Sequence, residues 1–362
     1  MKKGSWKNAL ADHKPLLCVA AAYCVSALLL ALWCGVEPSN LLHIFGFIGT
    51  TLAIALIFLT GMYLGSFLQF FFSGSGGVSL RWEQAGKKLD IASRGYLEGD
   101  RWAYACLAFA VTLSDNFFFI AKSMIPIVNP YASMKWDVVF ASLDKTIHFG
   151  RYPHEFLIPL VNGAGAEYML DAAYALWLVV MFLVVGYNVF MDDRLHRRLR
   201  FLWTYLLAWV LLGSVAAMMF SSVGPLFFHD FLPKSPNPYT GLVKNFDQIA
   251  KDSFLFAAKT RHLLLEWAHN DRKFDPNTLS AMPSMHIAIA WLLVLYAREI
   301  SRVVFAAAAV FAGSIFLGSV YLGFHYAIDA YVSVICVTLI WWLVGKFLDR
   351  RHARDVKLQG MA

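Results

Sequence analysis

The chain has 362 residues, 59% of them hydrophobic and only 15% charged, with a formal net charge of +7 and a mean hydropathy of +0.56. A soluble domain carries about 25% charged residues, and 30 Phe, 15 Tyr and 12 Trp are more than one aqueous core can hide. The composition excludes a soluble enzyme, a disordered scaffold and a nucleic-acid-binding domain, and it points to an all-α integral membrane protein.

A hydrocarbon core of about 30 Å takes roughly 20 apolar residues per helix. The chain opens on a basic leader, MKKGSWKNALADHK, with no A-x-A-like cleavage site after it, so an uncleaved anchor is expected. Apolar runs follow near 16–35, 42–72, 102–127, 167–191, 199–222, 284–298, 303–324 and 327–347, which predicts about eight transmembrane helices. The sixth run is short. Between the second and third, Ser73-Gly74-Ser75-Gly76-Gly77 is a flexible joint; no Gly-Lys-Ser/Thr follows, so it is not a phosphate loop. Residues 79–98 mix charged and apolar positions, as in a helix lying on the membrane surface. The stretches 128–166 and 223–283 are expected to be loops. Cys18, Cys24, Cys34, Cys106 and Cys336 form no Cys-x-x-Cys pair or Cys/His cluster, so neither a disulfide framework nor a metal site is expected.

The charges between runs set the orientation. Lys2, Lys3, Lys7 and Lys14, then Arg81, Lys87, Lys88 and Arg94, then Arg194, Arg197, Arg198 and Arg200, then Arg298 and Arg302, and finally Arg350, Arg351, Arg354 and Lys357 all fall on one side. That side, with both termini, is predicted to be cytoplasmic. The stretches 128–166 and 223–283 and the turn near residue 325 then face the periplasm or the extracellular space.

Two segments carry chemistry. Ser280-Ala281-Met282-Pro283-Ser284-Met285-His286 opens the sixth run. Pro283 suits a first helical turn, free N–H groups there favour an anion, and the Ser284 hydroxyl adds a donor. Tyr321-Leu322-Gly323-Phe324-His325-Tyr326-Ala327-Ile328-Asp329 places His325 and Asp329 four apart on one helix face. A carboxylate there can accept the imidazole N–H and leave the other nitrogen free to attack. Taken singly, each segment has a plainer reading: a capped helix with an interfacial histidine, or a polar pair anchoring a helix end. The predicted topology puts both at the same membrane face, where they look like nucleophile (His325), orienting carboxylate (Asp329) and general acid (His286).

Pro-Ser-Met-His followed by Gly-x-His-Tyr-x-x-Asp resembles the second and third signatures of the type 2 phosphatidic acid phosphatase superfamily. The resemblance covers chiefly residues 199–347 and implies a core of about six helices and a phosphohistidine intermediate formed without a metal. It gives His325, Asp329 and His286 the same three roles, and it places Ser284 and the neighbouring amides on phosphate oxygens. No cofactor is implied. Two departures stand out. The Ser-Arg expected before Tyr-Leu-Gly-x-His is Gly318-Ser319 here, and the nearest analogue of the Lys…Arg-Pro signature is Lys122 with Asn129-Pro130. Ser221-Ser222-Val223-Gly224-Pro225-Leu226-Phe227-Phe228 looks more like the branch related to inositol phosphorylceramide synthases, which puts Gly224 and Pro225 beside the substrate. The Trp136-Asp137, Leu143-Asp144 and His148-Phe149-Gly150 stretch is similar to that branch too.

A phosphomonoester dianion buried from water favours several fixed cations, whereas a phosphodiester carries one charge and needs fewer. The missing arginines therefore tilt the expectation toward headgroup transfer from a membrane lipid to an alcohol acceptor. Hydrolysis of a lipid phosphate such as phosphatidate or an isoprenyl phosphate is the alternative, and a lipid transporter or flippase is the rival of another class. Arg272 and Lys273, with Lys259 and Arg261, are candidates to replace the lost charge. The chain is expected to comprise two N-terminal helices and a surface segment (1–100), a catalytic core (101–347) and a basic tail (348–362).

Overall fold

The computed structural model describes residues 5–36, 38–98, 100–125, 132–163, 165–252, 254–270 and 280–359, and among them all regular structure is helical. Among the described residues, seven helices are long and apolar enough to cross a membrane. They are α1 (Ser5–Trp33) and α2 (Pro38–Ser73), α4 (Arg101–Ser123), α7 (Ala166–Phe190) and α8 (Leu195–Met219), and α12 (Arg302–Tyr321) and α13 (Ala327–Gln359). The sixth apolar run becomes α11 (Met285–Arg298), of only 14 residues. At 1.5 Å per residue that is about 21 Å, short of the hydrocarbon thickness. The non-helical residues Ser280–Ser284 lead into it and carry the chain onward to its first turn.

The residues 79–98 fall on one helix, α3 (Val78–Glu98). The two stretches expected to be loops are instead largely helical: α5 (Ala132–Ile147) and α6 (Pro153–Val161) in the first, α9 (Thr240–Asp252) and α10 (Phe256–Asn270) in the second. Their apolar residues recur on one face and pack as a second core, with Phe140, Val161, Leu242, Phe246 and Ala257 buried against Leu226, Tyr321 and Tyr326. Such amphipathic helices lack the continuous apolar run that marks a span.

In the main core α11 packs on α12 and α13, α12 on α7, and α8 on α13, while α1 lies against α4. The centre is filled by Phe201, Tyr205, Ile289, Leu292, Tyr296 and Val337. Helix α8 is π-helical from Ala208 to Ala216. Within it the Ser214 hydroxyl lies 3.1 Å from the Trp209 carbonyl and 2.7 Å from the Tyr23 hydroxyl. A hydroxyl that bonds a carbonyl five residues back supports the wider turn, and such turns are frequent at functional sites. The end of α8, the start of α11, the end of α12 and the start of α13 lie at one end of the bundle, and the catalytic candidates lie there too.

Candidate active site

The site is built on main-chain contacts between three segments. The Ala281 N–H donates to the Ser222 carbonyl at 2.8 Å, and the Leu226 N–H donates to the Gly323 carbonyl at 2.7 Å. Ser284 is the N-cap of α11, its hydroxyl accepting the Ile287 N–H at 3.4 Å, and its carbonyl accepts the Ser333 hydroxyl at 2.9 Å. These bonds hold the Ser280–Ser284 segment between the turn at 221–225 and the turn that carries His325.

His325 is buried, and its Nδ1 lies 2.8 Å from the Ala281 carbonyl oxygen and 3.4 Å from Asp329 Oδ2. A carbonyl oxygen only accepts, so the ring proton sits on Nδ1 and the Nε2 lone pair is left free. The expectation that Asp329 would be the main acceptor needs amending. The nearer acceptor is a main-chain carbonyl, because Oδ2 of Asp329 is turned toward the Tyr326 N–H at 3.0 Å. Asp329 Oδ1 is buried and has no hydrogen-bond partner among the described residues.

The His286 ring lies 5.7 Å from that of His325, centroid to centroid, in an edge-on arrangement. It stacks on Tyr174 at 4.4 Å, with Nδ1 3.2 Å from the tyrosine hydroxyl, and the Trp177 indole N–H donates to its carbonyl at 2.9 Å. When Tyr174 donates to Nδ1, a neutral His286 carries its proton on Nε2.

Both histidines line a cavity of about 430 Å³ with Lys122, Phe118, Trp177, Trp209 and Phe324. Lys122 sits over the Phe118 ring at 4.9 Å and has no carboxylate partner among the described residues. Phe119 of α4 and Leu178 of α7 line the same cavity and remain exposed on the bundle surface. Asp171 is on the wall as well. Its carboxylate caps α10, accepting the Phe256 and Ala257 N–H groups at 2.7 and 2.9 Å.

The other sequence candidates fall elsewhere. Ser284 is fully buried under its capping bond and does not line the cavity. Gly224 and Pro225, which the resemblance put beside the substrate, do not line it either, and the Gly224 N–H donates to Asp137 Oδ1 at 3.0 Å. Arg272, Lys273 and Asn129-Pro130 lie outside the described residues. Four residues not singled out for the site surround it. Asp137 grips the 223–224 turn and Tyr326, Asp144 accepts the Ala327 and Ile328 N–H groups at 2.9 and 2.8 Å, and Asp171 and Tyr174 share one face of α7. An aspartate inside an apolar run, with an aromatic three residues on, is a signal that could have found the last pair.

Burial outweighs the donors around Asp137 and pushes its carboxyl up to about 7; burial likewise raises Asp144 to about 6. An unfolded aspartate titrates near 3.9, so folding takes up protons between about pH 4 and 7. The contribution of these groups is therefore largest at low pH and is lost as pH rises through 6 to 7. His154, pushed down to about 4 by burial, works in the opposite sense but only below about 6.5. Thermal unfolding in detergent should come at a higher temperature at pH 6.5 than at pH 8, and Asp137→Asn should shrink the difference. An equal difference in wild type and variant would assign it to other groups.

No curated protein and no solved structure matches the chain. A sequence model of one family matches residues 139–343, more than half of the 362, and spans both histidine segments. By that match the chain belongs to the PAP2 superfamily.

Proposed function

We propose that the chain is a membrane phosphotransferase that moves a lipid phosphate or phosphodiester headgroup through a phosphohistidine on His325. The observation that carries this reading is the commitment of His325 Nδ1 to the Ala281 carbonyl in a residue that lines a cavity with His286 and Lys122. In the first step the Nε2 lone pair bonds to phosphorus as the bond to the leaving oxygen breaks, and His286, entering as the imidazolium, gives that oxygen a proton and becomes neutral. In the second, an alcohol or water attacks phosphorus, passes its proton to His286, and Nε2 departs. Lys122 holds a phosphoryl oxygen throughout, in surroundings where a fixed charge counts for more than in water.

PAP2 membership supports phosphatase or phosphotransferase chemistry on a lipid phosphate in general. Transfer is the favoured form because Lys122 is the one lysine or arginine among the described lining residues, which suits a singly charged phosphodiester. The aromatic and aliphatic lining, reaching the bundle surface at Phe119 and Leu178, suits a lipid whose tail stays in the bilayer. Arg197 and Arg200 meet Glu299 just past the end of α11, away from Ser284, and with Arg194, Arg198, Arg298 and Arg302 close to them in sequence this supports, by the positive-inside rule, cytoplasmic termini and a cavity on the outer face.

The test is an assay of purified protein with labelled phosphatidate and, separately, a labelled phosphodiester lipid, each with and without inositol or diacylglycerol. A new headgroup-bearing lipid formed only with acceptor supports transfer. Free phosphate from phosphatidate makes hydrolysis the reaction. Silence on every substrate sinks the proposal. In the same assay Lys122→Gln should lower kcat/KM by roughly 10- to 100-fold, the value of a charge-assisted hydrogen bond; an unchanged kcat/KM would take Lys122 off the phosphate.

A further inference from the structure

Asp137 lies on α5, is fully buried, and does not border the cavity. Its Oδ1 accepts the Gly224 N–H at 3.0 Å and the Tyr326 hydroxyl at 2.7 Å, and the Val223 N–H lies 2.9 Å from Oδ2 and 3.1 Å from Oδ1. Tyr326 is the residue after His325. Val223 follows Ser222, whose carbonyl accepts the Ala281 N–H at 2.8 Å, and the Ala281 carbonyl in turn accepts His325 Nδ1–H at 2.8 Å. The contacts close a circuit: Asp137 to Val223, Ser222 to Ala281, Ala281 to His325, and through Tyr326 back to Asp137.

We infer that Asp137 is a positioning residue for His325, clamping both ends of this circuit so that the Ala281 carbonyl stays against Nδ1 and Nε2 keeps its lone pair for phosphorus. The inference rests on the phosphohistidine reading above. A carboxyl group is an expensive way to fill a buried site, and an apolar side chain of similar volume would serve packing at less cost. What the carboxyl supplies is two oxygens that accept from three donors on two separate segments, the segments that meet at the His325 ring. Asp144, seven residues along the same helix, accepts the Ala327 and Ile328 N–H groups just after the histidine. Two turns of α5 thus hold Tyr326 and the two residues that follow it.

Asparagine is nearly isosteric with aspartate, but with Oδ1 kept on Gly224 and Tyr326 its amide NH2 faces the Val223 N–H, donor against donor. Tyr326→Phe removes the other clamp and leaves the ring in place. Both variants and wild type are compared as full-length protein in detergent, using whichever labelled lipid the wild type consumes. The expected result is a kcat lower by about 10- to 100-fold in each variant, the scale of a misplaced reacting group, with KM within about twofold. The trapped intermediate gives a signature that a packing role would not move: wild type should carry phosphate on Nε2 of His325 alone, and Asp137→Asn should yield some Nδ1 isomer. Wild-type kcat in both variants, or losses that track loss of folded protein with Nε2 labelling unchanged, would overturn the inference while leaving the catalytic reading standing. A wild type that is never labelled at His325 would bring down both.

Discussion

His325→Ala should lose turnover by on the order of 10⁴-fold or more, while the purified protein elutes and melts close to wild type. The first half follows from the proposed role: without the imidazole no covalent intermediate forms, and the residual rate comes from binding alone. The second half follows from the surroundings. The ring borders an existing cavity, so its removal enlarges that space without opening a new void in the packed core. Asp329 keeps the Tyr326 N–H, and Ala281 keeps its bond to Ser222. His286→Asn should cost about 10²- to 10⁴-fold with a lipid alkoxide as leaving group. With p-nitrophenyl phosphate the loss should be much smaller, because a good leaving group needs little protonation. Equal losses on both substrates would move His286 from proton donor to phosphate ligand. Turnover that survives His325→Ala would take the nucleophile's role away from His325.

The parts of this site legible in the sequence are those encoded over short distances. The pairing of His325 with Asp329, the start of a helix near Pro283 and the helix at 78–98 depend on neighbours along the chain, and residue types report such neighbours well; Ser284, assigned to phosphate, proved to be the cap of that helix. The spans were legible for the same reason, because a long apolar run needs no partner to be recognised. The acceptor on His325 Nδ1 was not. Ala281 contributes a carbonyl, which every residue has, and it reaches the ring across 44 positions of sequence. The bond from the Gly224 N–H to Asp137 was equally hidden: the resemblance put Gly224 beside the substrate and said nothing of its N–H. The role depends on a tertiary approach that glycine permits and does not announce. Helices α5, α6, α9 and α10 were hidden differently: their apolar faces are satisfied by one another and by the turns at the site, so no continuous run marks them.

Gly224→Ala should be among the most damaging one-methyl changes in the molecule. Gly224 has φ +86° and ψ 165°, a region open in practice to glycine alone, so any side chain costs on the order of 1–3 kcal/mol in backbone strain. A Cβ placed there would lie 2.6 Å from the Phe324 carbonyl oxygen and 3.5 Å from Ala281 Cβ. The closer of these is main chain, with no rotamer to swing aside, so relief must come from separating the two turns. Phe324 immediately precedes His325, and Ala281 holds its Nδ1. Moving either turns the nucleophile, and moving Gly224 also pulls on its bond to Asp137. The expected result is a lower melting temperature together with a kcat reduced by about 100-fold or more, since displacement near 1 Å suffices for that. Gly313→Ala is the matched control: nothing lies within 4 Å of its added methyl, it sits within α12, and alanine is the better helix former. It should melt no lower than wild type and keep full activity. If Gly224→Ala behaved like Gly313→Ala, the close approach of the two turns could not be what holds His325 in place.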